Sequence, residues 1–157
     1  MANNNYQNSG QQNWNQNSKQ RENYQSPNVD IQNKYFSETY KFLLSLSEKE
    51  TLLDKVFDNI EEFVKNECRV LTTTQLRNIY AKIVEAKDVN SIKMLRPNLA
   101  YIAARQQGGK KDKETAKTIL MFFDKLIQGI ETPENLTSFK KTMEAVVAYH
   151  KYHFNSK

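Results

Sequence analysis

Four Gly and three Pro are all the strong backbone punctuation in a chain of 157 residues. An all-β chain needs a turn signal about every ten residues, and turns lean heavily on those two residue types. Between these few breakers lie long stretches rich in Leu, Ile, Lys, Glu and Ala, which are good helix formers. The chain is therefore expected to be all-α, a compact bundle of about five helices joined by short loops. Hydrophobic residues make up 38% of it, enough for one modest core.

The first 34 residues follow a different rule. They contain ten Asn and seven Gln, with Tyr6, Trp14 and Tyr24 scattered among them. A segment so poor in aliphatic residues cannot offset the entropy of ordering, so residues 1–34 read as a disordered polar tail. The helical domain is then expected over residues 35–157.

Within that domain the helix boundaries are legible. A short apolar helix is expected from Tyr35 to Leu46, begun by Ser37. Ser47 and Glu50 have capping-box spacing, and Leu52, Leu53, Val56, Phe57, Ile60, Phe63 and Val64 follow at helical intervals. Thr72 and Gln75 form a second such box, opening a helix to about Lys87 with Leu76, Ile79, Tyr80, Ile83 and Val84 as its buried stripe. A helical stretch from Ser91 to Gln107 should break at Pro97, which removes an amide and disfavours helical geometry in Arg96. Gly108 and Gly109 end it. Lys110 to Lys113 read as a basic loop, with Asp112 able to cap the helix whose core face is Ala116, Ile119, Leu120, Phe123, Leu126 and Ile127. Gly129 closes that helix, and Thr132 with Pro133 opens the last, whose stripe is Leu136, Phe139, Met143, Val146, Val147 and His150.

Several chemistries find no support in the residues. A single cysteine, Cys68, rules out an intramolecular disulfide and leaves no Cys-based zinc site. His150 and His153 lie three apart on the last helix, but no third ligand or H-E-x-x-H pattern completes a metal set. His150 falls on the apolar stripe, where a packing role is the default. Walker, nucleophile-elbow and Gly-rich phosphate motifs are missing. The chain reads as a non-enzyme with no metal, cofactor or small-molecule substrate. It has no apolar run of membrane-spanning length and no signal-peptide pattern at its start, so a cytoplasmic location is expected.

Charge is distributed unevenly. Residues 35–68 carry four basic and eight acidic side chains, whereas residues 69–117 carry eleven basic and four acidic ones. Four of the five arginines, Arg69, Arg77, Arg96 and Arg105, fall in the second segment. The planar guanidinium fork suits phosphate, and the basic segment, with Lys110 and Lys111, is a candidate surface for a polyanion. Such polarity would also let identical subunits meet acidic face to basic face. Arg96 could instead pair with an acidic neighbour to fix the break at Pro97, and Arg105 could complement a helix dipole. Tyr80 and Tyr101 are assigned to apolar stripes, which favours core packing over base stacking.

Three segments carry a family likeness. LTTTQLRNIYAKI at 71–83 resembles the LTTSQIRK-type motif of the small helical subunit of the type III-A CRISPR (Csm) effector complex. LRPNLAYIAAR at 95–105 resembles that family's LRPKLAYxAGR pattern, with Ala104 where the family has glycine. SFKKTMEAVVAYHKYHF at 138–154 is similar to its closing aromatic helix. The resemblance implies a helical bundle that does no chemistry and lines up in several copies along guide RNA and target RNA. Its partners would be neighbouring copies of itself and the backbone subunits of the complex. The basic positions matching the family pattern are Arg77, Arg96 and Arg105, with Lys141 and Lys151 on the last helix. Two readings outside CRISPR use the same residues: a helix-turn-helix nucleic-acid binder around residues 73–87, and a protein–protein adaptor docking an acidic partner.

Overall fold

Phe122 and Phe123 are neighbours on one helix, some 100° apart around its axis, and each is only 1% exposed. A helix buried on both sides has to be central. A computed structural model describes the backbone of residues 27–154 and the side chains of residues 31–154. Among these residues there are seven α-helices: α1 (Pro27–Tyr35), α2 (Leu53–Glu67), α3 (Thr73–Glu85), α4 (Val89–Lys93), α5 (Arg96–Ala104), α6 (Lys110–Gln128) and α7 (Pro133–Phe154). Short 3-10 turns occupy Tyr40–Leu44 and Cys68–Val70, and no strand occurs among the described residues. The protein is all-α, as its few glycines and prolines require.

Helix α6 packs against α5 on one side and α1 on another, while α7 packs against α2, α3 and the Tyr40–Leu44 turn. Where these layers meet, Phe36 stacks on Phe122 with centroids 5.6 Å apart and planes 9° off parallel. Phe63 presents its edge to Phe36 at 5.7 Å and touches Tyr35, Phe122 and Phe123 as well. Ring pairs in such geometry add to the burial of their apolar area.

The Thr72–Gln75 capping box forms as expected: the Gln75 amide donates to Thr72 Oγ1 and the Thr72 amide to Gln75 Oε1, both at 3.0 Å. The break near Pro97 is also present. Helix α4 ends at Lys93, and α5 restarts with Pro97 in its first turn. Asp88, which the sequence reading did not single out, caps α4 by accepting the Ser91 amide at 2.7 Å, and that bond holds its carboxyl below the usual range.

The N-terminal half departs more from expectation. Residues 27–34, read as part of the polar tail, are helical in α1, where Ile31 is 5% exposed. Tyr35 donates its hydroxyl to Glu67 at 2.7 Å, and Gln32 accepts from Lys125 at 2.7 Å. Ile31 and Tyr35, backed by these bonds, anchor the helix to the core. Residues 1–26 of the tail lie outside the described residues.

The helix expected over Tyr35–Leu46 is instead a turn followed by the Tyr40–Leu44 3-10 segment. Its main-chain groups find partners on α7. Thr142 donates to the Leu43 carbonyl at 2.7 Å, Asn135 to the Leu44 carbonyl at 2.9 Å, and Ser138 accepts the Leu46 amide at 2.9 Å. These three α7 residues share one face at i, i+3 and i+7, so they replace the hydrogen bonds that a continued helix would have supplied.

Ser47 and Glu50 form a local turn rather than a cap, and α2 starts later, at Leu53, leaving Leu52 39% exposed. Val84, assigned to a buried stripe, is 48% exposed, since it lies at the edge of the face that Leu76, Ile79 and Ile83 bury; the end of α3 is closed by Lys140, which donates to the carbonyls of Val84 and Ala86. A cation there also complements the negative end of the helix dipole. The basic segment Lys110–Lys113 is the first turn of α6 rather than a loop. Gly109 is the N-cap residue, so Asp112 lies inside the helix and is not its cap. Gly108 makes the preceding bend at φ +112°, a conformation that side chains disfavour.

The placement of Ile31 sets a test of the domain boundary. A chain beginning at Tyr35 is expected to be less stable than one beginning at Pro27, by the ~1.5–3 kcal/mol that burying one isoleucine contributes. Urea unfolding of the two proteins checks this, and equal midpoints would mean that α1 contributes nothing.

Candidate nucleic-acid interface

The central arginines do not form a single patch. Arg96 is turned toward α6, where its Nε donates to Asp124 Oδ1 at 2.8 Å and its Nη2 to Oδ2 at 3.3 Å. That bidentate pair pins the first turn of α5 to the last part of α6, beside the Pro97 break. Lys93 is committed in a related way, donating to the Gln128 carbonyl at the C-terminus of α6, at 3.2 Å. Part of the basic surplus read from the sequence is thus spent on closing helix ends.

Arg105 is differently placed. It follows the last residue of α5, its guanidinium lies 5.3 Å from the Tyr101 ring centroid, and its Nη1 donates to the Tyr101 hydroxyl at 2.7 Å. The two residues lie one helical turn apart, which brings them together. Alongside them runs a cleft of about 360 Å3 between α3 and α5, lined by Gln75, Asn78, Lys82, Asn98, Tyr101, Ile102 and Arg105. Lys82 reaches it because α3 buries Leu76, Ile79 and Ile83 and leaves 75, 78 and 82 on the flank next to α5.

Arg77 is exposed on α3 but does not line this cleft; at 100° per residue it lies well round the helix from Asn78 and Lys82. Arg69, in the 3-10 turn after α2, lines another hollow of about 540 Å3 with Thr72, Thr73, His150 and His153. Lys110 and Lys111 are exposed in the first turn of α6, where the helix dipole opposes positive charge. Lys141 and Lys151 are exposed on α7. Among the described residues Arg96 alone of the central arginines has a carboxylate within ion-pair distance.

Tyr101 is the clearest correction to the sequence reading. It is 58% exposed rather than packed in the core. The stripe of α5 that faces inward is Leu99, Ile102 and Ala103, continued by Leu95 just before the helix, and Tyr101 stands two residues from Leu99, on the other side of the helix. That spacing was readable. Of the lining amides, Gln75 is legible in the sequence only as half of the capping box, and nothing in their sequence context marks Asn78 and Asn98.

The two histidines are engaged structurally. His150 is 2% exposed, with Nε2 at 3.1 Å from the Cys68 carbonyl and 2.9 Å from the Leu71 carbonyl. Carbonyls only accept, so Nε2 carries the proton and ties α7 to the turn before α3. His153 Nε2 lies 3.0 Å from Glu61. Cys68 is fully buried, and burial pushes its thiol well above the ordinary range. Among the described residues no group of three or more His, Cys, Asp or Glu is placed to hold a metal ion, and no helix is long and apolar enough to cross a membrane.

A third depression, about 770 Å3, runs between α5 and α6. Its floor is apolar, with Pro97, Ala100, Ala103, Ala104 and Met121, and Lys93 and Lys117 stand at its edge. Away from both grooves, α2 presents Asp54, Asp58 and Glu62 to solvent.

Fold and surface together define a small helical scaffold with an acidic helix, a basic cleft and an apolar groove. The family model for Csm2 Type III-A matches residues 47–156, so the chain belongs to that family and is a small subunit of the type III-A CRISPR (Csm) complex. The match takes in all three segments on which the resemblance rested. No curated protein and no solved structure matches the chain.

Proposed function

We propose that this subunit holds RNA without cutting it, lining up in copies along the guide RNA–target RNA duplex of an antiviral ribonucleoprotein in the cytoplasm. The observation that carries this reading is the α3–α5 cleft. Lys82 and Arg105 line it with no carboxylate at ion-pair distance among the described residues, so their charge is open to phosphate. Exposed Arg69, Arg77, Lys110, Lys111, Lys141 and Lys151 add to the positive field more diffusely. Arg96, already paired, acts as a brace for α5 in this reading. The apolar α5–α6 groove suits a protein neighbour, either the next copy or a backbone subunit of the complex, and the acidic flank of α2 offers a complementary surface. A non-catalytic role accords with the committed Nε2 of His150 and the pairing of His153 with Glu61.

Affinity for single-stranded RNA measured across a salt series tests the proposal. The double variant Lys82→Glu/Arg105→Glu is expected to flatten the plot of log affinity against log salt by roughly 0.7 per lost phosphate contact. Discrimination among sequences should stay as it was, because phosphate contacts position but do not specify. Arg77→Glu reports separately on the other flank of α3. A wild-type slope near zero would leave the adaptor reading standing, and altered sequence preference would point to a recognition helix.

A further inference from the structure

Tyr101 is a large aromatic ring left open to solvent in a domain that buries five of its eight phenylalanines. Its charged neighbour is arranged around it in a particular way: Arg105 lies over the ring and bonds its hydroxyl, which holds both side chains in one geometry. With the guanidinium on one side, an exposure of 58% leaves much of the remaining ring surface facing solvent beside the cleft. Across the cleft, on α3, stand Asn78 and Gln75, whose Oε1 is taken by the Thr72 amide, and one turn before Tyr101 on α5 stands Asn98; the side-chain amides of Asn78 and Asn98 have no hydrogen-bond partner among the described residues. An amide side chain both donates and accepts, which is what the edge of a nucleobase requires. Phosphate tracking by itself calls for none of this; cations suffice for it.

We infer that the α3–α5 cleft receives an unstacked base of single-stranded RNA, with the Tyr101 ring as the stacking platform, Arg105 reaching the adjoining phosphate, and Asn78 and Asn98 meeting the base edge. This rests on the RNA-holding reading above and adds to it the part of the nucleotide that is held. The volume of about 360 Å3 falls within the range of small-ligand sites, ~300–1,000 Å3, and suits one base with part of its ribose. Every base has a π-face, so the platform grips without selecting strongly among bases. Along a guide–target duplex the platform serves only a base that is unpaired or turned out of the stack.

The test compares the full chain with its Tyr101→Ala, Tyr101→Phe and Tyr152→Ala variants. Tyr152 is an exposed tyrosine at the far end of α7 and serves as the control. Each protein is titrated at several salt concentrations against a labelled single-stranded RNA of about 12 nucleotides, inside the ~4–16 nucleotide span of single-strand sites, and against an abasic ribose-phosphate oligomer of equal length. Tyr101→Ala is expected to lose about 5- to 150-fold in affinity for the RNA at every salt concentration, the equivalent of the ~1–3 kcal/mol of one base–aromatic stack. Its salt slope should match wild type, and its affinity for the abasic oligomer should be unchanged. Tyr152→Ala should bind RNA as wild type does, and Tyr101→Phe, which keeps the ring but loses the hydroxyl bond to Arg105, should fall well short of the loss in Tyr101→Ala. An equal loss on the abasic oligomer would overturn the inference, since Tyr101 would then act only by positioning Arg105; so would no loss on either. In both cases salt-dependent binding by the wild type would leave the RNA-holding reading intact, whereas wild type with no salt-dependent affinity for either oligomer removes both.

Discussion

Met143→Asp is expected to abolish cooperative folding. Met143 has no exposed surface and lies in the middle of α7, the helix that contacts α2, α3 and the Tyr40–Leu44 turn. The cations of its own helix, Lys140 and Lys141, do not come to its aid: Lys140 is drawn to the end of α3, and Lys141 is exposed. A carboxylate there would either be buried unpaired or take up a proton, and each option costs several kcal/mol. Small domains are stable by about 5–15 kcal/mol in total, so most of the margin would go. Circular dichroism during urea titration measures the outcome. A variant with a wild-type midpoint and a single sharp transition would show that α7 does not pack as described.

Phe63→Ala should come next in size. Phe63 meets Tyr35, Phe36, Phe122 and Phe123, and so joins α1, α2 and α6 in one cluster. Truncating such a side chain removes its transfer energy and leaves a cavity that tightly packed rings fill poorly, a loss of about 3–5 kcal/mol. Unfolding in urea again checks it. Helical content at zero denaturant should persist if the loss stays inside the stability margin. A shift below about 1 kcal/mol would mean that the cluster relaxes into the space. Neither substitution touches the α3–α5 cleft, so RNA affinity of the folded fraction of Phe63→Ala should equal that of wild type.

The two halves of the chain differ in how much their sequence discloses. From Thr72 onward, most helix ends fall where local rules place them, as at the Thr72–Gln75 box, the break near Pro97 and the stop at Gly129, with the start of α6 at Lys110 an exception. Before that point they conflict. Tyr35–Leu46 looks helical by its apolar content, yet its carbonyls are claimed by Asn135 and Thr142 of α7, about ninety residues away in the chain. Residues 27–34 look like tail by composition, yet one buried isoleucine and the bond from Lys125 to Gln32 bring them onto the core. No window of sequence contains both partners of such contacts.

The candidate site divides along the same line. Arginine content singled out residues 69–117, which include both walls of the α3–α5 cleft, and the family likeness in residues 71–83, 95–105 and 138–154 marked the right assembly. Which arginine is available is a matter of neighbours: Arg96 opens α5 and Arg105 follows its last residue, but only Arg96 has a carboxylate of α6 opposite it. What the sequence by itself determined is the all-α class, most helix ends from Thr72 onward and the family, because caps, breakers, periodicity and motifs act within a few residues of one another. What only the tertiary structure decided is the start of the helical core, the solvent-facing Tyr101 and the pairing that separates bracing cations from free ones. Those depend on which helices lie side by side, and that is settled by burial and hydrogen bonding between residues far apart in the chain.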